Sequence, residues 1–405
     1  MEVRTIRIGI TNFCNLRCPY CFFYESLTTD SNNQKKMSVQ EMEEVLRYCR
    51  KDNVRVILLH GGEPMMHSEI ESIIKLIRKN KIGLVLFTNG IFDQSLLKIF
   101  SKKDIPNCLV NYNHPAYFLK TGDWELVNRN IKKMCELGYG LALGYNLFEK
   151  KPDYKFFIDA IKRFRIKKIR FDLAKPSLCS ENKYVSLKDF FNSAGIVAKF
   201  LKDCLNAGAW PQLDCAWPIC FTSRKEFDFM RKFIFNPRAV CSTLLDILPG
   251  LTISTCPCSV TKQDIKLSEF ESLSQAKAFF VEMEDSFRWR YYATEMCKGC
   301  IFWVHRVCEG GCQGYKRIFH RDMVTRQDLK LFLLNKSNSI YTNSKTIKVT
   351  SKMRNNYMSF RLGSALLQQD RIKDAFIVFL AVKKTGLKNS EQKYVESFLK
   401  RCLNK

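Results

Sequence analysis

The sequence lacks any apolar run approaching the ~18 residues needed to cross a bilayer, so no membrane-spanning helix is expected. It also lacks the basic-then-apolar profile of an export signal. Met-Glu-Val-Arg-Thr leads directly into a β-rich stretch, and a cytoplasmic location is expected. Acidic residues are scarce: 40 Asp and Glu stand against 66 Lys and Arg, for a formal net charge of +26. About half of that excess falls after Gln313. Such a surface attracts anionic partners, whether an acidic peptide, nucleic acid or a phosphorylated small molecule. The lysines are dispersed rather than blocked, however, and a solvated surface accounts for them equally well. Charge alone selects no partner, and neither a membrane nor a nucleic-acid partner is expected. Cysteine is not scarce. Eighteen in a small secreted chain would mean a disulfide framework, but in 405 residues without an export signal they read as metal ligands in a reducing compartment. At this length two or three domains and a substantial core are expected.

The densest information lies in Cys14-Asn-Leu-Arg-Cys18-Pro-Tyr-Cys21, just after the β-rich run from Val3 to Ile10. Three thiolates spaced C-x3-C-x2-C can wrap one corner of a [4Fe–4S] cluster and leave its fourth iron open. The alternatives are zinc, a disulfide framework or chance. Structural zinc wants four ligands, usually in two pairs, and this spacing fits it poorly. With Tyr20 directly before the last cysteine, the motif resembles the signature of the radical S-adenosylmethionine (SAM) superfamily. The resemblance implies that the open iron binds the amino and carboxylate groups of SAM. An electron from the cluster then breaks the S–C5′ bond, and the 5′-deoxyadenosyl radical abstracts hydrogen from a substrate.

Up to about residue 175 the pattern alternates. Short apolar or β-branched runs at Val54–Leu59, Leu84–Thr88, Cys108–Tyr112, Leu141–Leu147 and Ile166–Leu173 are separated by amphipathic stretches near 38–51, 68–79, 93–101, 123–137 and 153–164. Ser38-x-x-Glu41 and Ser68-x-x-Glu71 read as capping boxes. Regular βα alternation predicts a parallel sheet covered by helices. With a further helix near 186–206, six strands suit the (β/α)6 partial TIM barrel that the resemblance implies, an α/β fold whose function gathers at the C-terminal strand ends. His60-Gly61-Gly62-Glu63-Pro64 follows the second strand, where the glycines permit close backbone approach and Glu63 can accept from an ammonium. It resembles the family's GGE motif, which holds the amino group of SAM. Gly-Gly and Glu-Pro also make ordinary turns. Thr88-Asn89-Gly90 ends the third strand, where related enzymes carry a similar segment; a simple turn is the alternative. Asn113, His114 and Asn146 should face the barrel mouth, as candidates for SAM ribose or substrate contacts. Arg170 is a candidate for the SAM carboxylate or a plain surface charge.

A second cysteine set runs from Cys215 through Cys220, Cys241, Cys256-Pro-Cys258 and Cys297-x2-Cys300 to Cys308-Glu-Gly-Gly-Cys312. It resembles the SPASM extension of radical SAM enzymes, which binds auxiliary iron–sulfur clusters. By that analogy Cys220 (or Cys215), Cys241, Cys256 and Cys312 hold one auxiliary [4Fe–4S] cluster, and Cys297, Cys300 and Cys308 a second. The spacings depart from the family's: five residues separate Gly250 from Cys256, seven separate Cys300 from Cys308, and no late cysteine follows within about twenty residues of Cys312. The fourth ligand of the second cluster is therefore open among Cys258, Asp322, Asp328, His320, the substrate or nothing. A zinc knuckle on Cys297, Cys300, Cys308 and Cys312 is the competing reading. Cys49, Cys108, Cys135, Cys179, Cys204 and Cys402 stand singly and suit packing. After about Asn335 a polar linker precedes a pattern matching part of a tetratricopeptide hairpin, from Leu362 to Val382, and a helix near Ser390–Arg401. The expected domains are a radical SAM barrel over 1–207, a SPASM-like auxiliary domain over 208–335, and a linker with a short helical tail over 336–405.

The expected function is a radical SAM oxidoreductase that crosslinks or oxidises a peptide or protein side chain, as a maturase of ribosomally made peptides does. A flavodoxin- or ferredoxin-type protein would be its reductant. The alternatives are a radical SAM dehydrogenase of a small molecule, and a non-catalytic iron–sulfur or zinc protein.

Overall fold

The computed structural model describes residues 2–177, 182–186, 193–218, 240–256, 265–298, 300–304 and 308–319, the helix Asn389–Leu403, and isolated positions among them. These fall into two compact units. The first comprises Met1–Cys215, Thr222–Phe235 and Ser242–Phe287; the second comprises Ala216–Phe221, Asn236–Cys241 and Arg288–Lys405.

The first unit is built on one sheet of nine strands, β1 Thr5–Gly9, β2 Val56–His60, β3 Gly83–Thr88, β4 Asn107–Asn111, β5 Gly140–Leu147, β6 Lys168–Leu173, β7 Trp210–Leu213, β8 Asp246–Leu248 and β9 Thr252–Ser254. Their order is β7-β6-β5-β4-β3-β2-β1-β8-β9. Every pairing is parallel except β8 with β9. The parallel sheet and its helices are those expected of the alternation, and the α/β fold is consistent with the partial barrel that the resemblance implies. The connecting helices are α1 Val39–Lys51, α2 Ile70–Lys79, α3 Leu96–Ile99, α4 Asp123–Glu136, α5 Lys155–Phe164 and α6 Ala194–Asn206. Each longer helix buries one stripe and exposes its charges. In α2 the stripe is Ile70, Ile73, Ile74 and Ile77, each adding about 1.5–3 kcal/mol by leaving water. A further helix, α7 Leu273–Arg288, docks its start on Asp52, whose carboxylate accepts the Leu273 and Ser274 N–H groups at 2.7 and 3.1 Å.

The Ser38–Glu41 capping box forms at α1, but the expected box at Ser68 does not. There the His67 ring accepts the Glu69 N–H at 3.0 Å, and Ser68 instead accepts from Lys36 at 2.9 Å. The stretch near 93–101 yields only the single turn α3. Strands β7, β8 and β9 extend the sheet beyond the six expected. Pro211 masked β7 as a strand, yet an edge strand tolerates proline, and β7 is an edge. β8 and β9 are three residues each, too short for a period to register.

In the second unit, Phe302, Glu309, Cys312, Tyr315 and Lys316 are buried. The helix Asn389–Leu403 buries Val395, Phe398 and Leu399, with Phe398 at 5.3 Å from Phe379. Residues 320–374, which include the polar linker, His320, Asp322, Asp328 and the first part of the tail's repeat pattern, lie outside the described residues, as do Cys179 and Cys220. Among the described residues no helix is long and apolar enough to cross a membrane.

Candidate active site

The cysteine motif occupies the loop that leaves β1. Cys14 donates its N–H to Thr28 O at 3.0 Å, and Cys21 to Cys18 O at 3.0 Å, which closes the loop into a tight turn. Burial pushes the Cys14 thiol up to about 12. It also raises Cys21, and it raises Cys18 with help from the neighbouring Cys21 and Cys14. Three thiols drawn together away from water become thiolates when a cation compensates them. All three are free of disulfide bonds, so the donor set fits an iron–sulfur cluster. Two side-chain amides lean toward the sulfurs: Asn89 Nδ2 lies 3.9 Å from Cys14 Sγ, and Asn113 Nδ2 lies 3.6 Å from Cys18 Sγ.

Gly61 and Gly62 carry the end of β2 against the backbone of this loop. Gly62 donates to Thr11 O and Glu63 to Phe13 O, each at 2.7 Å. A Cβ on Gly62 would sit 2.1 Å from Phe13 O, and one on Gly61 would sit 2.6 Å from Thr11 O. No side chain fits at either position. Glu63 is fully buried at the start of the Pro64–Met66 turn. Its Oε1 accepts from Thr88 Oγ1 at 2.7 Å and from Met65 N at 3.1 Å, and its Oε2 accepts from Asn89 N at 2.6 Å. Each carboxylate oxygen takes two donors, which leaves one acceptor direction on Oε2. Burial outweighs these bonds and lifts the Glu63 carboxyl to about 7. Asn89 Nδ2 continues to Asn15 Oδ1 at 2.8 Å, so the ends of β2 and β3 and the cysteine loop form one hydrogen-bonded assembly.

On the other side of the loop a polar ladder crosses successive strand ends. Tyr20 donates its hydroxyl to Asn113 Oδ1 and accepts from Asn111 Nδ2 at 2.8 Å. Asn146 Nδ2 donates to Asn111 Oδ1 at 2.9 Å, and Arg170 Nη1 to Asn146 Oδ1 at 2.9 Å. Arg170 also pairs with Asp214 at 2.5 Å. A cleft of about 250 Å³ opens beside this ladder, lined by Tyr20, Asn113, His114, Tyr117, Asn146 and Phe148 among others. The structure thus brings Asn113, His114 and Asn146 to one cavity with Tyr20. Arg170 joins them through Asn146.

Three arrangements here were not read from the sequence. Asn111 is the hub between Tyr20 and Asn146; its sign was a polar residue ending an apolar strand. His60 pairs with the buried Asp246 at 2.7 Å, and Arg7 lies 3.4 Å from the same carboxylate; a lone arginine in a β-rich run was the only trace. Asp172, Asp214 and Cys215 cluster within 4.8 Å of one another, but Arg170 and Lys175 already neutralise the carboxylates, with Lys175 at 2.8 Å from Asp172.

The second cysteine set is divided. Cys215, Cys256 and Cys258 belong to the first unit, and Cys241, Cys297, Cys300, Cys308 and Cys312 to the second. The Cys258 thiol and Arg7 hold Cys256 below the usual thiol range. In the second unit the Gly310 and Gly314 N–H groups point at Cys308 Sγ and Cys312 Sγ, each at 3.4 Å. Gly310 has φ +82°, and a Cβ there would meet Cys297 Sγ at 3.3 Å. Between the cysteines, buried Glu309 accepts from the Cys241 N–H and from Arg288 Nε at 2.8 Å. Lys316, also fully buried, donates to Arg288 O at 2.6 Å, and burial pulls it down to about 8.

Residues 8–171 match the family model of the radical SAM superfamily. A probable GTP 3′,8-cyclase of Methanocaldococcus jannaschii is 34% identical over 142 residues, which cover 34% of this chain and 47% of that protein. A GTP 3′,8-cyclase of Campylobacter fetus is 31% identical over 145 residues, covering 34% and 45%. The chain thus spans about half the length of the curated relatives it matches. Among solved structures, Streptococcus suis SuiB bound to S-adenosylmethionine superposes with a TM-score of 0.57 at 17% identity, covering 76% of this chain and 73% of that one. At that identity the likeness concerns the fold. Over residues 8–171 this chain is similar to the radical SAM superfamily.

Proposed function

We propose that this chain is an enzyme that cleaves SAM reductively and uses the resulting radical on a small molecule seated in the barrel mouth. The observation that carries the reading is the assembly of Cys14, Cys18 and Cys21 with Glu63 and Asn89: a three-thiol loop linked through the Asn89 side chain to a buried carboxylate that keeps one acceptor direction open. Cys14, Cys18 and Cys21 would hold a [4Fe–4S] cluster, which when bound would supply the electron that breaks the sulfonium bond of SAM. Glu63 receives the ammonium group of SAM. Tyr20, Asn113, Asn146 and Phe148 form the walls against which the adenosyl group is oriented, and they exclude water from it. A radical needs that exclusion, because the protein's part in such chemistry is binding, orientation and shielding.

The small-molecule substrate is supported by the relatives' names, all GTP 3′,8-cyclases among those above, and by the modest size of the cleft. A peptide substrate, with auxiliary clusters on the second cysteine set, rests on the SPASM-like spacing and the basic surface. In either case a flavodoxin- or ferredoxin-type donor would supply the electron. The test is anaerobic reconstitution followed by incubation with SAM and dithionite, with 5′-deoxyadenosine measured by chromatography. Its formation supports the reading, and its absence from iron-replete protein defeats it. Adding GTP or a basic-surface-binding acidic peptide then separates the two substrate classes by which one raises the rate.

A further inference from the structure

Ser177, Asn182 and Lys183, described residues after β6 that act as a strap, grip the cysteine loop by its carbonyl groups. Lys183 donates its N–H to Pro19 O at 2.7 Å, Ser177 donates its hydroxyl to Phe22 O at 2.6 Å, and Asn182 donates Nδ2 to Tyr20 O at 3.0 Å. These three carbonyls surround Cys21. The donors come from residues more than 150 positions away in sequence, so the contact belongs to the tertiary fold.

Asn182 is the centre of the grip. It is 7% exposed, and its amide also donates to Lys175 O at 2.8 Å while its Oδ1 accepts the Ser177 N–H at 2.8 Å. Both of its N–H donors are therefore committed, one to the loop and one to the strap itself. The strap is in turn fixed at its root, where Lys175, 1% exposed, pairs with Asp172 of β6. Tyr20 is consequently held at both ends: its carbonyl by Asn182, its hydroxyl by Asn111 and Asn113.

A cysteine side chain has one torsion that moves its sulfur, so the main-chain path limits Sγ to three staggered positions. Three sulfurs that share one ligand tolerate little drift, and groups that orient ligands typically change affinity 10- to 100-fold when removed. We propose that Asn182 is a positioning residue for the cysteine loop, setting the main-chain path between Cys18 and Cys21 on which the SAM-cleaving centre depends. The proposal rests on the reading of that loop as the cluster site.

The test uses full-length protein reconstituted anaerobically, in wild-type, Asn182→Ala, Asn182→Asp and Ser177→Ala forms. Asp keeps the acceptor for Ser177 but loses both donated bonds, so it should behave as Ala does. The readouts are the electron paramagnetic resonance spectrum of the reduced cluster, with and without SAM, and the rate of 5′-deoxyadenosine formation with dithionite. In both Asn182 variants the SAM-induced spectral change should weaken and cleavage should slow by about 10- to 100-fold, with a smaller loss in Ser177→Ala. Folded Asn182 variants with wild-type spectra and rates would overturn the proposal. Should the Asn182 variants fail to fold, Ser177→Ala decides, and an unchanged spectrum and rate in it overturn the proposal equally. A wild type that binds iron but cleaves no SAM defeats the reading of the loop instead; the spectra without SAM then judge Asn182 alone, identical spectra counting against it.

Discussion

The carboxylate of Glu63 at the end of β2 accepts the backbone N–H of Asn89 at the end of β3, at 2.6 Å and out of contact with water. This bond ties two strand ends of the parallel sheet to the loop that carries Cys14, because Asn89 goes on to Asn15 and toward the Cys14 sulfur. The same carboxylate is lifted by burial to about 7, from an ordinary value of 4.5.

That value gives a pH dependence with a definite sign. The folded protein holds the Glu63 proton more tightly than the unfolded chain does. The associated stability is therefore complete below about pH 4.5 and is lost as pH rises through 7. An ammonium group prefers the carboxylate, so SAM affinity should move the opposite way and rise between pH 6 and 8. In Glu63→Gln that rise should flatten. Equilibrium binding of SAM across this range checks it, and an equal slope in the variant would remove Glu63 from the SAM site.

Gly62→Ala should disrupt the cysteine loop, since the added methyl would lie 2.1 Å from Phe13 O and 3.0 Å from Cys14 Cβ. Backbone cannot yield as a side-chain tip does, and overpacking of this kind costs on the order of 3 kcal/mol. Iron bound per chain should fall with it. Gly122→Ala is the control: its φ is +91° but nothing lies within 4 Å, so only the left-handed backbone is penalised, by about 1–2 kcal/mol. Denaturation midpoints and iron content of the two variants should separate them. Equal iron content would show that the close approach of Gly62 to the loop is dispensable.

Cys14→Ala, Cys18→Ala and Cys21→Ala should each abolish 5′-deoxyadenosine formation while leaving the sheet folded, because the loop lies outside the strands that form the core. Circular dichroism and product analysis check the two halves of that statement. Activity retained in any one of the three would mean that its sulfur is not a ligand.

The cysteine loop and the strand-end motifs were legible because their chemistry is local: ligand spacing, paired glycines and a period of alternating elements sit within short stretches of chain. The six central strands were legible for the same reason. Asn182 and Asn111 were not, since each acts through a partner that only the fold brings near, Tyr20 in both cases. Asp246 was hidden in a three-residue strand, and its pairing with His60 and Arg7 follows from β8 lying beside β1. The box that fails at Ser68 shows a local rule overridden by neighbours, for Ser68 accepts from Lys36 and the His67 ring takes the Glu69 N–H.

The second unit offers a prediction that holds whether its cysteines bind an iron–sulfur cluster or zinc, the two readings of their spacing. Glu309 is fully buried within Cys308-Glu-Gly-Gly-Cys312, and its carboxylate joins Arg288 to the backbone of Cys241. Removing one member of a buried ion pair costs about 3–5 kcal/mol, since the other charge is left without compensation, whereas replacing both by apolar groups can be nearly neutral. Glu309→Ala should therefore destabilise this unit and lower its metal content. The double variant Glu309→Leu with Arg288→Met should recover much of the stability, but not the hold on Cys241, whose N–H would still have lost its acceptor. Metal per chain and thermal midpoint, measured on both variants, tell these effects apart. Full metal content in the double variant would mean that the cysteines alone position the site. Stability recovered without metal would assign Glu309 to the placing of Cys241.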